Sequence, residues 1–243
     1  MHVVGIIPAR FGSSRFPGKP LIDLKGKSMI QRVYEGAIKS DLIQDLIVAT
    51  DDERIYNEVI RFGGKVVMTS NAHLTGTDRC AEVANQIENA EVVINIQGDE
   101  PLVDYRQLNQ LIEVFQSDEV KIATLASRKI SLEDLQNPNR IKVVLDNNNK
   151  AIYFSRSAVP NAVNLREDPL TYYPYLRHIG LYGFRTDVIK EITQLKPTLL
   201  EQTESLEQLR WLYYGYPIHV VETAIETPNI DSPDDIRKVL ELL

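Results

Sequence analysis

The chain has 243 residues, 43% of them hydrophobic and 25% charged, and a net charge of −7. That length supports a core without a metal or disulfide staple, the composition excludes collagen, coiled-coil and disordered classes, and a single cysteine, Cys80, excludes a disulfide framework or cysteine-based metal site. The acidic balance argues against nucleic-acid binding, and no apolar run approaches the ~20 residues that span a bilayer.

The start, MHVVGIIPAR, lacks the basic segment and long apolar core of a signal peptide, so a reduced, soluble, cytoplasmic protein with no membrane insertion is expected. Short β-branched runs then alternate with helical patterns. Residues 3–7 read as a strand, 29–38 as a helix, 45–50 as a strand, 53–61 as a helix and 65–69 as a strand. A helix over 78–87 has Thr77 as its expected N-cap. It is followed by a strand at 91–96 and a helix at 105–115. Continuous apolar strands alternating with helices predict right-handed βαβ units in a mostly parallel sheet covered on both faces. A strand is expected at 121–126. The short runs 141–145 and 151–154, joined by the polar turn DNNNK, predict a β-hairpin. Residues 160–174 read as a loop, 205–213 as a helix, 217–221 as a strand and 233–242 as a closing helix. Ser232, Pro233 and Asp235 supply helix-start chemistry for the last of these. No repeat or linker divides the chain, so one domain is expected over 1–243.

The first candidate site is PARFGSSRFPGKP, residues 8–20, which follows a strand and so lies where open α/β sheets bind ligands. Arg10, Arg15 and Lys19 put three cations in ten residues of an acidic protein. A polyphosphate is the natural partner, because one cation–phosphate contact near 4 Å is worth on the order of 4 kcal/mol before desolvation at an effective dielectric of 20. The loop is not a phosphate-binding Walker A motif. Five residues separate Gly12 from Gly18, and Pro20 stands where that motif has Ser or Thr. A solvated basic loop with turn glycines is the plainer alternative. In the second candidate, IQGDEP, Asp99 could help hold Mg²⁺, which takes one or two carboxylates plus phosphate oxygens. The same residues also read as an ordinary turn. In the third, NIDSPDD, a helix start explains Ser232, Pro233 and Asp235 but leaves Asp231 free for another role. Arg156 could grip a carboxylate.

PARFGSSRFPGKPL, VATDD, GTDR, IQGDEPL, NPNRIKVV, YFSRSAVP, RHIGLYGF, LEQLRWLYYG and IDSPDDI follow one another in this chain. Together they resemble the 3-deoxy-manno-octulosonate (Kdo) cytidylyltransferases, or CMP-Kdo synthetases, over nearly the whole length. The resemblance implies a single nucleotidyltransferase-type, Rossmann-like α/β domain with a β-hairpin dimerisation arm at about 141–185, and a homodimer. It implies transfer of CMP from CTP to Kdo or a close analogue, with release of pyrophosphate, for lipopolysaccharide biosynthesis. On the matching positions it implies that Pro8, Ala9, Arg10, Ser13, Arg15, Lys19, Thr75, Gly76, Thr77 and Arg79 meet CTP. It further implies that Asp99 and Asp231 hold Mg²⁺, with Lys19 as their catalytic companion, and that Gln97, Arg156, His178, Tyr182, Glu207 and Gln208 surround the sugar. Leu74 and the 161–174 loop depart from the pattern and bear on fine sugar preference.

Two other readings are weighed beside it. A cytidylyltransferase for a sialic-acid-like sugar would usually follow the loop lysine with Asn, where this chain has Pro20. A non-catalytic nucleotide-binding protein would need neither Asp99 nor Asp231.

Overall fold

The computed structural model describes residues 1–12, 16–164, 168–228, 230 and 233–243. In chain order the elements are β1 (Val3–Ala9), α1 (Met29–Ala37), β2 (Asp45–Thr50), α2 (Glu53–Arg61), β3 (Val66–Met68), α3 (Gly76–Ala84) and β4 (Val92–Asn95). Then come α4 (Tyr105–Glu113), β5 (Ile122–Ser127), α5 (Leu132–Gln136), β6 (Lys142–Leu145), β7 (Ala151–Ser155), α6 (Pro169–Tyr172) and β8 (Leu176–Arg185). The chain closes with α7 (Thr186–Ile192), α8 (Leu199–Glu204), α9 (Gln208–Tyr213), β9 (Ile218–Glu222) and α10 (Pro233–Leu242).

The strands form one sheet in the order β3-β2-β1-β4-β8-β5-β9. β1 pairs parallel with β2 and β4, whereas β8 runs antiparallel between β4 and β5. Side-chain alternation along β1 sends Val3 and Ile7 to one face and Val4 and Ile6 to the other, each into its own core. One core receives α1, α2, α4 and α10, and the other α3, α7 and α9. This is the expected α/β fold with a mostly parallel sheet. The strand order reverses between β1 and β4, and the crevice at their carboxyl ends is the ligand position of doubly wound folds.

Three expectations need correction. The N-cap of α3 is Thr75, not Thr77: its side chain accepts the Asp78 N–H while Asp78 caps back onto the Thr75 N–H, a reciprocal box that begins the helix earlier. The helix expected at 205–213 starts only at Gln208 as α9: Ser205, at a left-handed φ of 52°, instead ends the preceding helix α8, so α8 and α9 meet at a corner. The range 141–185 is not all arm. β6 and β7 form the expected hairpin, but β8 is a central strand with Ile179, Leu181 and Phe184 buried. The hairpin joins the same sheet through β6 against β8, and its turn docks on β9, where Asn149 O accepts the Val220 N–H at 2.8 Å.

Candidate active site

The loop after β1 is shaped by Gly18. It sits at φ 72°, and its N–H donates to Phe11 O at 2.9 Å. That left-handed turn suits glycine, and a Cβ there would come within 3.0 Å of the Phe11 ring. A single 3₁₀ turn, Lys19–Leu21, follows with Pro20 in its first positions. Lys19 Nζ donates to Asp99 Oδ2 at 2.7 Å and to Ile230 O at 2.8 Å. Asp99 stands in the loop after β4. A Cβ on its neighbour Gly98 would lie 2.9 Å from Pro8 O, so only glycine lets the two strand ends approach this closely. The Asp99 carbonyl in turn accepts the Ile230 N–H at 3.0 Å. Three distant stretches of chain therefore meet at one ion pair.

Two cavities open on either side of it. The smaller, about 260 Å³, is bounded by Pro8, Ala9, Arg10 and Lys19 from the first loop and by Thr75, Gly76 and Arg79 from the start of α3. The larger, about 390 Å³, is bounded by Gln97, His178, Tyr182, Glu207 and Gln208, among others. Gly76, Gln97 and Asp99 line both, so the cavities adjoin across a shared wall.

The larger cavity is walled by unusual electrostatics. β8 bulges opposite Thr124 and Leu125, which pair with Tyr182 and Ile179 respectively. The Thr124 hydroxyl fills the bulge. It donates to Leu181 O at 2.7 Å and is left to accept the His178 Nε2–H at 3.0 Å. Burial, with a smaller push from Arg177, drives the His178 pKa down to about 3, so the ring is neutral. Gln97 Nε2 donates to Gly180 O in the same bulge at 3.0 Å. Glu207 accepts the Thr77 hydroxyl at 2.9 Å. Its carboxyl is enclosed, and this desolvation, aided by Asp78, pushes its pKa up to about 7 against the hydrogen bonds that lower it. Cys80 is buried and its thiol is shifted strongly upward by desolvation, which makes it inert packing.

Three residues sit apart from their expected places. Thr77 faces Glu207 in the larger cavity rather than the smaller one. Arg79 borders the smaller cavity, but its guanidinium is committed to Asp51 at 3.0 Å and to the Thr69 hydroxyl. Arg156 does not present its guanidinium to a cavity. It donates to Glu204 O at 2.6 Å and Ser205 O at 3.2 Å, carbonyls that the α8–α9 corner leaves without helical partners, and to Pro138 O, in the loop after α5, at 2.9 Å. Ser13, Arg15 and Asp231 lie outside the described residues.

The cytidylyltransferase family model matches residues 4–225. The 3-deoxy-manno-octulosonate cytidylyltransferase of Porphyromonas gingivalis is 49% identical over 100% of this chain and 96% of its own, and that of Bacteroides thetaiotaomicron is 50% identical over 100% and 98%. The chain belongs to the 3-deoxy-manno-octulosonate cytidylyltransferase family. A solved structure of CMP:2-keto-3-deoxy-manno-octonic acid synthetase complexed with CTP superposes with a TM-score of 0.92 at 43% identity, covering 100% of this chain and 98% of that one. A 4-diphosphocytidyl-2C-methyl-D-erythritol synthase from Anaerococcus prevotii, 14% identical with a TM-score of 0.65, shares the fold alone. This cytidylyltransferase also lines its larger cavity with Asn95, Arg140, Arg177 and Trp211, none of which the sequence singled out. A signal was available for three of them: Arg140, Arg177 and Trp211 stand inside NPNRIKVV, RHIGLYGF and LEQLRWLYYG.

Proposed function

We propose that the smaller cavity holds CTP and the larger one Kdo, and that the enzyme transfers CMP to the sugar for lipopolysaccharide assembly. The anomeric hydroxyl oxygen forms a bond to the α-phosphorus as its O–H bond breaks and the proton passes to solvent, the bond from that phosphorus to the β-phosphate oxygen breaks, and pyrophosphate leaves. The observation that carries this reading is the shared wall: Asp99 and Gln97 face both cavities, so the two reactants meet where Lys19 and Asp99 sit. Phosphoryl transfer of this kind depends on positioning and charge neutralisation more than on covalent catalysis.

Arg10 and Lys19 bind the triphosphate, and Lys19 stabilises charge gathering on the departing pyrophosphate. Asp99 and Asp231 would hold Mg²⁺. The donor set fits, since Mg²⁺ uses one or two carboxylates and substrate phosphates rather than a protein cage. Ile230, next to Asp231 in sequence, is bonded to both Asp99 and Lys19. When bound, the ion would supply Lewis-acid neutralisation of phosphate charge. His178, neutral and locked to Thr124, gives the sugar a fixed polar ring rather than a charge. Arg140 and Arg177 are the cations that border the larger cavity and can meet the sugar carboxylate. The enzyme works in the cytoplasm as a homodimer. In support of the dimer, Ile152, Val163 and Tyr172, in and near the hairpin region, expose apolar surface, and a solution mass about twice 27.6 kDa checks it.

The test is pyrophosphate release with CTP, Mg²⁺ and a panel of acid sugars. Turnover is expected with Kdo or an 8-amino analogue and not with sialic acid. Faster use of sialic acid would reverse the assignment of the sugar.

A further inference from the structure

Among the buried polar atoms on residues lining the larger cavity that find no hydrogen-bond partner among the described residues are Asn95 Oδ1, Trp211 Nε1 and the Tyr182 hydroxyl. Asn95 and Trp211 form a pair, only 3% and 2% exposed. Buried polar atoms nearly always find partners, and leaving one dry is costly. The pair has a chemical signature: the indole N–H can only donate, and the amide oxygen can only accept. They come from different elements but border the same ring. Asn95 is the register partner of Tyr182 across β4 and β8, and the Trp211 ring stands edge-on to Tyr182 at 5.2 Å. Glu207, four residues before Trp211, contributes a carboxyl to the same cavity.

A hydroxyl is the group that answers both atoms, because it accepts from N–H and donates to a carbonyl. A carboxylate can accept from the indole N–H but cannot donate to Asn95 Oδ1. We propose that Asn95 and Trp211 form a hydroxyl subsite that selects and orients the acceptor sugar, turning its hydroxylated part toward β4 and α9 and leaving its carboxylate to the arginines. This rests on the larger cavity being the sugar's.

The experiment compares the wild type with Trp211→Phe, which keeps an aromatic ring and removes the N–H, and with Asn95→Ala. KM is measured for Kdo and for its singly deoxygenated analogues, with CTP saturating. Trp211→Phe should raise the sugar KM about tenfold, the size of one hydrogen bond, and leave the KM for CTP within about twofold. One deoxy analogue should lose about tenfold with the wild type and nothing further with the variant. Should Trp211→Phe fail to fold, Asn95→Ala closes the same cycle. Unchanged sugar KM in the variants, or equal losses for every analogue in wild type and variants, overturns the subsite while the assignment of function stands. A wild type that turns over no acid sugar overturns both.

Discussion

Asp99 shares its charge with Lys19 across 2.7 Å, and both side chains keep some contact with solvent, at 13% for Lys19 and 29% for Asp99. A pair of that exposure contributes about 1 kcal/mol or less to stability, so its importance lies in chemistry. Asp99→Asn should abolish pyrophosphate release while moving the melting temperature by only a few degrees; wild-type turnover would remove Asp99 from the proposed Mg²⁺ site. Glu207 gives a different kind of expectation. Its carboxyl holds its proton up to about pH 7 in the folded chain, and its ordinary value is 4.5. Between those values the folded state binds the extra proton, so stability falls as pH rises through the interval and levels off above it. Glu207→Gln should flatten that part of the melting-temperature profile and be relatively more stable at pH 8 than at pH 4. Parallel profiles for the two proteins would show that the carboxyl is not held protonated.

The walls of the larger cavity are set by elements latched through backbone carbonyls. Lys142, fully buried on β6, donates to Asn137 O at 3.0 Å and to Arg140 O and Arg156 O at 2.6 Å each. Arg156 then carries the latch to the α8–α9 corner, where Glu204 also accepts the Arg156 N–H and the Ser155 hydroxyl. Lys142→Met keeps the length but strands three carbonyls, costing about 1–3 kcal/mol, or several degrees in a domain of this size. The sugar KM should rise more than the CTP KM, because the loosened loop carries Arg140; equal shifts in both would assign Lys142 to general stability. Such latches also mark the limit of what the sequence discloses. The first loop was legible because its glycines, proline and cations are local signals. Arg156 read as a carboxylate ligand because its carbonyl acceptors lie 18 to 49 positions away. β8 was visible only as the motif RHIGLYGF and not as a strand, since an antiparallel strand at mid-sheet is chosen by pairing with β4 and β5. The late start of α9 was hidden because Leu206, ahead of its first turn, continues the spacing of Leu209 and Leu212.

Across the molecule, the sheet divides the work by sequence. The smaller cavity comes from residues before 100, and much of the larger from residues after 138. β8 is the joint: inserted antiparallel beside β4, it brings His178 and Tyr182 against Gln97 and Asn95. The alternation of strands and helices made the first half of this arrangement legible, because parallel βαβ units have essentially one handedness. The second half departs from that rule and required the structure. One consequence concerns observation rather than catalysis. The chain has a single tryptophan, and it is Trp211, enclosed at the larger cavity against Tyr182 and Phe184. The protein therefore carries a native optical reporter at one of its two chambers, so intrinsic emission can time the filling of that chamber in a stopped-flow instrument with no label attached.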